Sequence, residues 1–217
     1  MDKPELDMLY HNLRRLCITD DIPQKEAVAG LVSHLTKADG DYPGLLRFLG
    51  YYGEEYILPK VLEHMAFVSH SLEFTRVVEL GAGFGWLGRG ISRAYDLIPT
   101  LFIDKRQYTL IDIVADIESK NGAKRVLDEL QSGDLIVMSE LLHCLDNPRK
   151  VLAPFTKWPM VVVEYMPDYS PFRTSYSEQI EKFGAKPIAS IREVFPSGSI
   201  VTESTNTHVI WIIMPLK

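Results

Sequence analysis

One segment of the 217-residue chain has the residue types and spacing needed to hold a nucleotide-like cofactor. It reads Val77-Val78-Glu79-Leu80-Gly81-Ala82-Gly83-Phe84-Gly85, an apolar run that leads directly into alternating glycines, and a helix is expected from about Trp86. Glycines let the backbone pass close to a ligand, and the first turn of a helix offers free amides and the positive end of its dipole. We therefore expect a cofactor at the carboxyl end of this strand.

The same segment contains a literal match to the dinucleotide-binding pattern G-x-G-x-x-G, which spans Gly83 to Gly88. In a dinucleotide fold the first glycine follows the strand at once, which puts the pattern's last position at Trp86. A tryptophan there would obstruct the close packing of strand, helix and pyrophosphate. The run is better described as E-x-G-x-G-x-G from Glu79 to Gly85, and it resembles motif I of class I S-adenosylmethionine (SAM) methyltransferases.

The resemblance implies a set of cofactor-binding residues around this loop, namely Glu79, Gly81, Ala82, Gly83, Gly85 and Trp86. Asp104 ends the next strand, 23 residues after Gly81. In the family, an acidic residue at that place binds the ribose hydroxyls, and a carboxylate can accept two such hydrogen bonds. The segment 112–117 is similar to the third-strand motif of the family. It implies that Asp116 receives the adenine amino group and that Ile117 packs on the ring, with Asp112 as the alternative to Asp116.

The segment from Gly133 to Pro148 is similar to the fourth strand of these methyltransferases and the turn after it. The resemblance places His143 at a recurrent histidine of the family and Ser139 beside the cofactor. The fifth strand, 161–164, leads into Tyr165, near the expected acceptor site. The signature Asn/Asp-Pro-Pro-Tyr is missing after the fourth strand. Its absence argues against methylation of nucleic-acid amino groups.

His143 is the candidate catalytic residue. Methyl transfer from a sulfonium is an in-line displacement, so most of the acceleration comes from alignment and from exclusion of water. A base is needed only when the acceptor must lose a proton, and imidazole titrates near working pH. Glu140, Asp146 or Glu164 would orient the ring. The alternative is that His143 only packs or caps beneath the cofactor.

Aromatic residues are the candidates for covering the cofactor and acceptor. Their faces suit both a sulfonium cation and a flat substrate. The candidate substrate-binding residues are Tyr51, Tyr52, Tyr56, Tyr165 and Arg173. For at least one of the tyrosines, core packing is the competing interpretation, and Arg173 would equally suit a solvated loop. No metal site is expected, and His208 is expected to be structural.

The pattern of short apolar runs predicts the elements that must position these residues. β-branched runs at 77–80, 100–103, 109–115, 134–138 and 160–163, separated by helical or loop segments, indicate a parallel sheet covered on both faces. Only 11 residues separate Asp104 from Asp116, too few for a crossover helix. In the tail, 187–194 and 207–214 are predicted to form an antiparallel hairpin. Residues 1–72 show helical spacing and are predicted to form a cap, with the cofactor-binding domain at 73–217.

Composition and charge exclude several classes of protein. The chain is 46% hydrophobic and 24% charged, which is ordinary for a globular protein. A net charge of −6 disfavours binding to a phosphate backbone, so no nucleic-acid partner is expected. Cys17 and Cys144 have no metal-type spacing and are expected to be reduced thiols. No signal peptide or membrane span is predicted, so we expect a cytoplasmic protein with no membrane partner.

Together these patterns predict an α/β protein with a Rossmann-like class I methyltransferase sheet, mostly parallel with an antiparallel last strand, and an N-terminal helical cap. The resemblance is to the small-molecule methylase type-11 group. It implies methyl transfer from SAM to a small molecule, giving S-adenosyl-L-homocysteine (SAH), with oxygen slightly favoured as acceptor by His143. The chain is expected to be a monomer or homodimer. The alternatives are transfer to nitrogen or carbon, a non-catalytic SAM-binding scaffold, a nicotinamide-dependent oxidoreductase, and a methyltransferase acting on a peptide side chain.

Overall fold

The structure, a computed structural model, describes six stretches of the chain. They are residues 53–69, 72–107, 110–165, 191–196, 199–204 and 208–215. Most of the predicted cap, including Tyr51 and Tyr52, lies outside the described residues, as do Cys17 and Arg173.

A seven-stranded sheet in the order β3-β2-β1-β4-β5-β7-β6 forms the centre of the fold. Its strands are β1 (Arg76–Leu80), β2 (Thr100–Asp104), β3 (Ile113–Val114), β4 (Asp134–Ser139), β5 (Met160–Tyr165), β6 (Ser199–Ser204) and β7 (His208–Met214). The first five strands pair in parallel, whereas β7 is antiparallel to both β5 and β6. The predicted fold class, mostly parallel with an antiparallel last strand, is confirmed.

The described helices begin where the sequence provides a suitable first turn. They are α1 (Leu58–Phe67), α2 (Trp86–Ala94), α3 (Lys120–Glu129), α4 (Pro148–Leu152) and α5 (Ile191–Val194), and a π-helical turn, Gly53–Ile57, precedes α1. Pro59 lies in the first turn of α1. The side chain of Ser119 caps α3, and that of Asn147 caps α4. Both caps satisfy amides that the helix itself leaves without partners.

Two hydrophobic clusters cover the two faces of the sheet, and neighbouring strand residues alternate between them. Val77 and Val161 belong to the cluster beneath α1 and α2. Val78 and Val162 belong to the opposite cluster, which also contains residues of α3, α4 and α5. This alternation follows from the period of two along a strand. It places Glu79, an odd-numbered residue of β1 like Val77, on the face covered by α2.

An ion pair at the amino ends of the strands joins β1 to β4. Arg76 donates from Nε to Oδ1 of Asp134 at 2.8 Å and from Nη2 to Oδ2 at 2.7 Å. Asp134 is buried at 1% exposure, and Arg76 is directly opposite it in the strand register. Such two-pronged pairing is geometrically specific. The pair therefore fixes the register that brings the carboxyl ends of both strands level.

The third strand is much shorter than the sequence predicted. The run 109–115 was expected to be a strand, but among its described residues, 110–115, only Ile113–Val114 pairs with β2. Before it, Asp112 accepts a hydrogen bond at Oδ2 from the amide of Phe102 (2.8 Å) and donates its own amide to the Phe102 carbonyl (3.0 Å). As the short spacing indicated, β2 and β3 are parallel without a helix between them.

The predicted strand at 187–194 is wrong for the part that is described, because residues 191–194 form α5. Ile191 and Val194 are both buried, and Phe195 donates its amide to the Ile191 carbonyl at 2.8 Å, as in a helical turn. The first strand of the hairpin instead begins at Ser199, in the segment predicted to be the connection. The second strand, β7, lies where it was predicted.

Among the described residues, no helix is long and apolar enough to cross a membrane. The same part of the chain contains no group of three or more His, Cys, Asp and Glu side chains arranged to hold a metal ion.

Candidate functional site

The glycine loop after β1 has the backbone conformation that only glycine adopts at low cost. Gly81, Gly83 and Gly85 have φ values of +66°, +52° and +64°. A Cβ at Gly81 would lie 2.6 Å from the side chain of Leu141, and one at Gly85 would lie 2.6 Å from the ring of Phe102. The loop therefore requires glycine at these positions both for conformation and for space, and it leads into α2 at Trp86.

Glu79 points away from the loop and into the contact between β1 and α2. It is 1% exposed, and its Oε2 accepts a hydrogen bond from the amide of Gly88 at 2.9 Å. A Cβ at Gly88 would lie 2.6 Å from that oxygen, so Gly88 allows this close approach. Burial raises the pKa of Glu79 to about 8, although the hydrogen bond from Gly88 opposes the shift. Gly88, the last glycine of the dinucleotide-like pattern, thus has a structural reason for its presence.

Asp104, at the end of β2, lies beside the glycine loop. Its Oδ2 accepts a hydrogen bond from the amide of Gly83 at 3.0 Å, and its Oδ1 accepts one from the amide of Arg106 at 2.8 Å. A carboxylate has about four acceptor positions, so two more donors can bind to it. Its place next to the loop is the one that the sequence resemblance implied for a ribose-binding carboxylate.

Asp116 and Ile117 follow β3 at the same edge of the sheet. Asp116 accepts at Oδ1 from the amide of Glu118 at 3.0 Å, a local turn that leaves its other oxygen available. The Glu118 side chain then accepts from the amide of Asp146 at 2.8 Å, which joins the loop after β3 to the loop after β4. Ile117 is 8% exposed and packs in the second hydrophobic cluster. Asp112, the alternative to Asp116, is bonded to β2 instead.

The turn after β4 connects the glycine loop to the end of β5. The Oγ of Ser139 is buried and has no hydrogen-bond partner within the described part of the chain. Glu140 has a φ of +54° and donates its amide to the Val163 carbonyl at 2.8 Å, and Leu141 then covers Gly81. A buried hydroxyl without a partner is uncommon in native proteins, so Ser139 stands out among the residues at this edge.

His143 and Glu164 form a buried pair at the ends of β4 and β5. Nδ1 of His143 lies 2.7 Å from Oε2 of Glu164, and Oε1 of the same carboxylate accepts from the Leu142 amide at 2.6 Å. The two residues are 7% and 3% exposed. Because a carboxylate only accepts hydrogen bonds, Nδ1 carries the proton and the imidazole is held in a fixed orientation. Of the three carboxylates proposed from the sequence to orient His143, the structure selects Glu164.

The surroundings of His143 favour its protonated form. Burial by itself lowers the pKa of an imidazole, but the negative charge of Glu164 and hydrogen bonds to Cys144 and Glu164 outweigh it. The pKa of His143 is therefore held well above its usual range. Cys144, an exposed free thiol whose Sγ also lies 3.7 Å from the carbonyl of Glu140, was not expected from the sequence to contact the imidazole.

A second histidine–glutamate pair lies at the same edge of the sheet, and sequence reasoning missed it. Nε2 of His208, the first residue of β7, lies 3.4 Å from Oε1 of Glu140. His208 is 1% exposed, and it pairs with Tyr165 in the β5–β7 register. Glu140 and His208 are 68 residues apart. Only the antiparallel insertion of β7 beside β5 brings them together.

The structure describes some of the aromatic candidates, and those lie in different places. Trp86 is 6% exposed, and a Cβ at Gly53 would lie 2.5 Å from its indole ring, so its side chain is buried against the turn before α1. Tyr56, in the same turn, packs against the first hydrophobic cluster. The backbone of Tyr165 ends β5 at the site. Tyr51, Tyr52 and Arg173 lie outside the described residues.

Comparison with known proteins gives matches among solved structures only. No family model and no curated protein sequence matches the chain. Human N-acetylserotonin methyltransferase in complex with SAM is 14% identical, with a TM-score of 0.55, over 97% of this chain and 67% of that one. The plantazolicin methyltransferase BpumL in complex with SAH is 14% identical, with a TM-score of 0.53, over 96% of this chain and 100% of that one.

An O-methyltransferase family protein from Burkholderia thailandensis is 13% identical, with a TM-score of 0.57. That match covers 82% of this chain but only 61% of the Burkholderia protein. At these identities the similarity concerns the fold. With its strand order and its antiparallel β7, the chain has the fold of class I SAM-dependent methyltransferases.

Proposed function

We propose that the chain is a SAM-dependent methyltransferase that transfers a methyl group to an oxygen of a small-molecule acceptor. The observation that carries this proposal is the buried His143–Glu164 pair, which lies beside the glycine loop at the carboxyl edge of β1, β4 and β5. Ligands of open α/β sheets bind at that edge. An oriented imidazole at this place suits an acceptor that must lose a proton.

The residues present fit a SAM molecule. The glycine loop allows a ligand to approach the backbone closely, and Asp104 keeps acceptor positions for ribose hydroxyls. Asp116 keeps an oxygen for an adenine amino group, and the Oγ of Ser139 lacks a partner within the described residues. Trp86 would contribute its backbone amide, since its indole is buried elsewhere. When bound, SAM supplies the activated methyl group.

The protein's part in the reaction is to align the acceptor and to take its proton. Glu164 holds the Nδ1 proton of His143, so proton transfer from an acceptor hydroxyl goes to the other ring nitrogen, Nε2. Because the pKa of His143 is raised, the neutral imidazole that can accept this proton becomes more abundant as pH rises above neutrality. The rate of methyl transfer should therefore rise with pH in that range.

The proposal includes the parts of the chain that the structure does not describe. Residues 1–72 form the cap over the site, and 73–217 form the SAM-binding domain. Tyr51, Tyr52, Tyr56, Tyr165 and Arg173 contribute to acceptor binding. The packing of α1 against the cluster beneath α2 supports a cap that is continuous with the domain.

His143→Ala tests this proposal through a split between turnover and cofactor affinity. If His143 is the base, kcat for a phenolic acceptor falls by about 10²-fold or more, which is the usual contribution of a positioned base. The SAM dissociation constant should stay within about twofold of wild type, because ring removal leaves the glycine loop intact. Lys150→Ala, at an exposed position of α4, is the matched control and should leave both values unchanged. Equal losses of turnover and of SAM affinity would show that His143 supports the cofactor instead.

A further inference from the structure

Glu140 occupies a central position at the carboxyl edge of the sheet. It directly follows β4, between the glycine loop of β1 and the His143–Glu164 pair at β5. Its neighbour Leu141 covers Gly81, and its amide is fixed on the Val163 carbonyl at 2.8 Å. Glu140 therefore lies between the glycine loop and the His143–Glu164 pair at this edge.

The backbone of Glu140 is held in a conformation that its side chain disfavours. Its φ is +54°, in the left-handed region that residues other than glycine, asparagine and aspartate seldom adopt. Residues in such conformations persist where the surrounding structure enforces them, and they concentrate at functional sites. Here the turn directs the Glu140 carboxylate toward β7 and the start of His208.

The two carboxylates at this edge differ in how well they are satisfied. Both oxygens of Glu164 have short hydrogen bonds, at 2.6 Å from Leu142 and 2.7 Å from His143. Glu140 has one long contact, 3.4 Å from Oε1 to His208, and its Oε2 has no hydrogen-bond partner within the described part of the chain. Its side chain is nevertheless only 13% exposed. Oε2 is not among the buried polar atoms that lack a partner, so it is accessible, and a donor that reaches it would replace water beside the carboxylate.

We propose that Glu140 determines acceptor specificity by binding a primary ammonium group of the acceptor at Oε2, so that the enzyme prefers amine-bearing hydroxylated molecules. The inference rests on the proposed function, because it assigns the acceptor class at the same site. Both oxygens of Glu164 already have short hydrogen bonds, whereas Glu140 has only the long contact of its Oε1 to His208, so its Oε2 is the oxygen at which an acceptor cation can bind. An ammonium group supplies both the positive charge and the donors that Oε2 lacks.

Three phenols that differ mainly in charge test the proposal: tyramine, 4-ethylphenol and 4-hydroxyphenylacetate. Binding of each to the full chain is measured by ligand-observed NMR titration, with and without SAH. Tyramine should bind at least tenfold more tightly than 4-ethylphenol, a difference of about 1.4 kcal/mol, and the anionic acid should bind most weakly. Glu140→Gln should remove the preference for tyramine and leave the SAM dissociation constant within about twofold. The exposed Glu129→Gln is the matched control and should keep the preference.

A second variant separates specificity from folding. Glu140→Gly removes the carboxylate and also relieves the positive φ, so it should be folded, with a Tm close to wild type, and should bind tyramine no better than 4-ethylphenol. The proposal is overturned if wild type shows no preference for tyramine, if no phenol binds, or if either Glu140 variant keeps the preference. Failure of SAM to bind while tyramine is preferred would overturn the proposed function but leave the ammonium site standing.

Discussion

Two buried glutamates, Glu79 and Glu164, serve different purposes at the site because their partners differ. Glu164 accepts from a backbone amide and from the His143 imidazole, so its charge is matched and the imidazole is oriented. Glu79 accepts from the amide of Gly88 between β1 and α2, and burial raises its pKa to about 8. Glu164 therefore orients His143, and Glu79 stabilises the packing of α2 against β1.

Replacing Glu164 should change both the rate and its pH dependence. Glu164→Gln removes the negative charge that raises the pKa of His143, so the rising limb of kcat against pH should move toward lower pH. The amide also favours the tautomer with the proton on Nε2, and the plateau kcat should fall by about 10²-fold or more. The pH–rate profiles of the two proteins test this. An unmoved limb would show that Glu164 does not control His143.

Because the pKa of Glu79 is raised, the free energy of unfolding should fall as pH rises. Its pKa is about 8 in the folded chain, against 4.5 for an ordinary exposed glutamate, so between these values the folded state binds more protons than the unfolded state. Stability is then lost with increasing pH by at most about 1.4 kcal/mol per pH unit. Glu79→Gln cannot ionise and should be the more stable protein at pH 8.

Thermal unfolding between pH 5 and pH 8 measures this difference. The Tm of Glu79→Gln should fall less over the range than that of wild type, since about 1 kcal/mol corresponds to about 2–4 °C in a chain of this size. His143, whose raised pKa also favours the folded state at low pH, contributes equally to both proteins and cancels in the comparison. Parallel Tm curves would contradict a buried, neutral Glu79. The exposed Glu129→Gln serves as the control.

Among the elements, the register of β1 and β4 brings the glycine loop and the turn that carries His143 to the same edge of the sheet. The Arg76–Asp134 pair fixes that register from the opposite ends of the strands. Arg76→Leu would leave the buried Asp134 without its cation, and removal of one partner of a buried pair typically costs about 3–5 kcal/mol. Since Arg76 is itself 19% exposed, we expect the lower part of that range, about 3 kcal/mol.

Chemical denaturation measures this loss as a lower free energy of unfolding. Lys60→Leu is the control, because Lys60 and Glu63 form an ion pair in which both side chains are more than half exposed. Exposed pairs contribute about 0–1 kcal/mol, so this variant should unfold close to wild type. Similar losses in the two variants would show that the buried pair has no special role in the sheet.

The sequence was sufficient for elements whose pattern is local. The change from an apolar strand to glycines predicted β1, the loop and α2. It failed at 191–194, where Ile191 and Val194 bury one face of a single helical turn that is too short to show a clear period. The segment 109–115 likewise has a strand composition, but only two of its residues pair with β2.

At the scale of the whole molecule, the site is built from distant parts of the chain that only the sheet order brings together. The glycine loop, Asp104 and His143 could be predicted as candidates, because each lies in a separate local motif of the family that the sequence resembles. The sequence limited the partner of His143 to Glu140, Asp146 or Glu164 but could not choose among them, since Glu164 is 21 residues from His143. The contact between Glu140 and His208 was not predicted, because the two residues meet only where β7 inserts beside β5. Such pairings depend on topology, which composition and spacing do not specify.

Binding of SAM at this edge of the sheet can be measured by calorimetric titration of the full chain with SAM and SAH, with NAD and NADP in parallel. We expect micromolar binding of the two sulfur nucleosides and none of the dinucleotides. Gly83→Val, which forces a branched side chain into the φ of +52°, should remove binding while the chain stays folded. Binding of a dinucleotide, or of neither class by folded protein, would contradict the account.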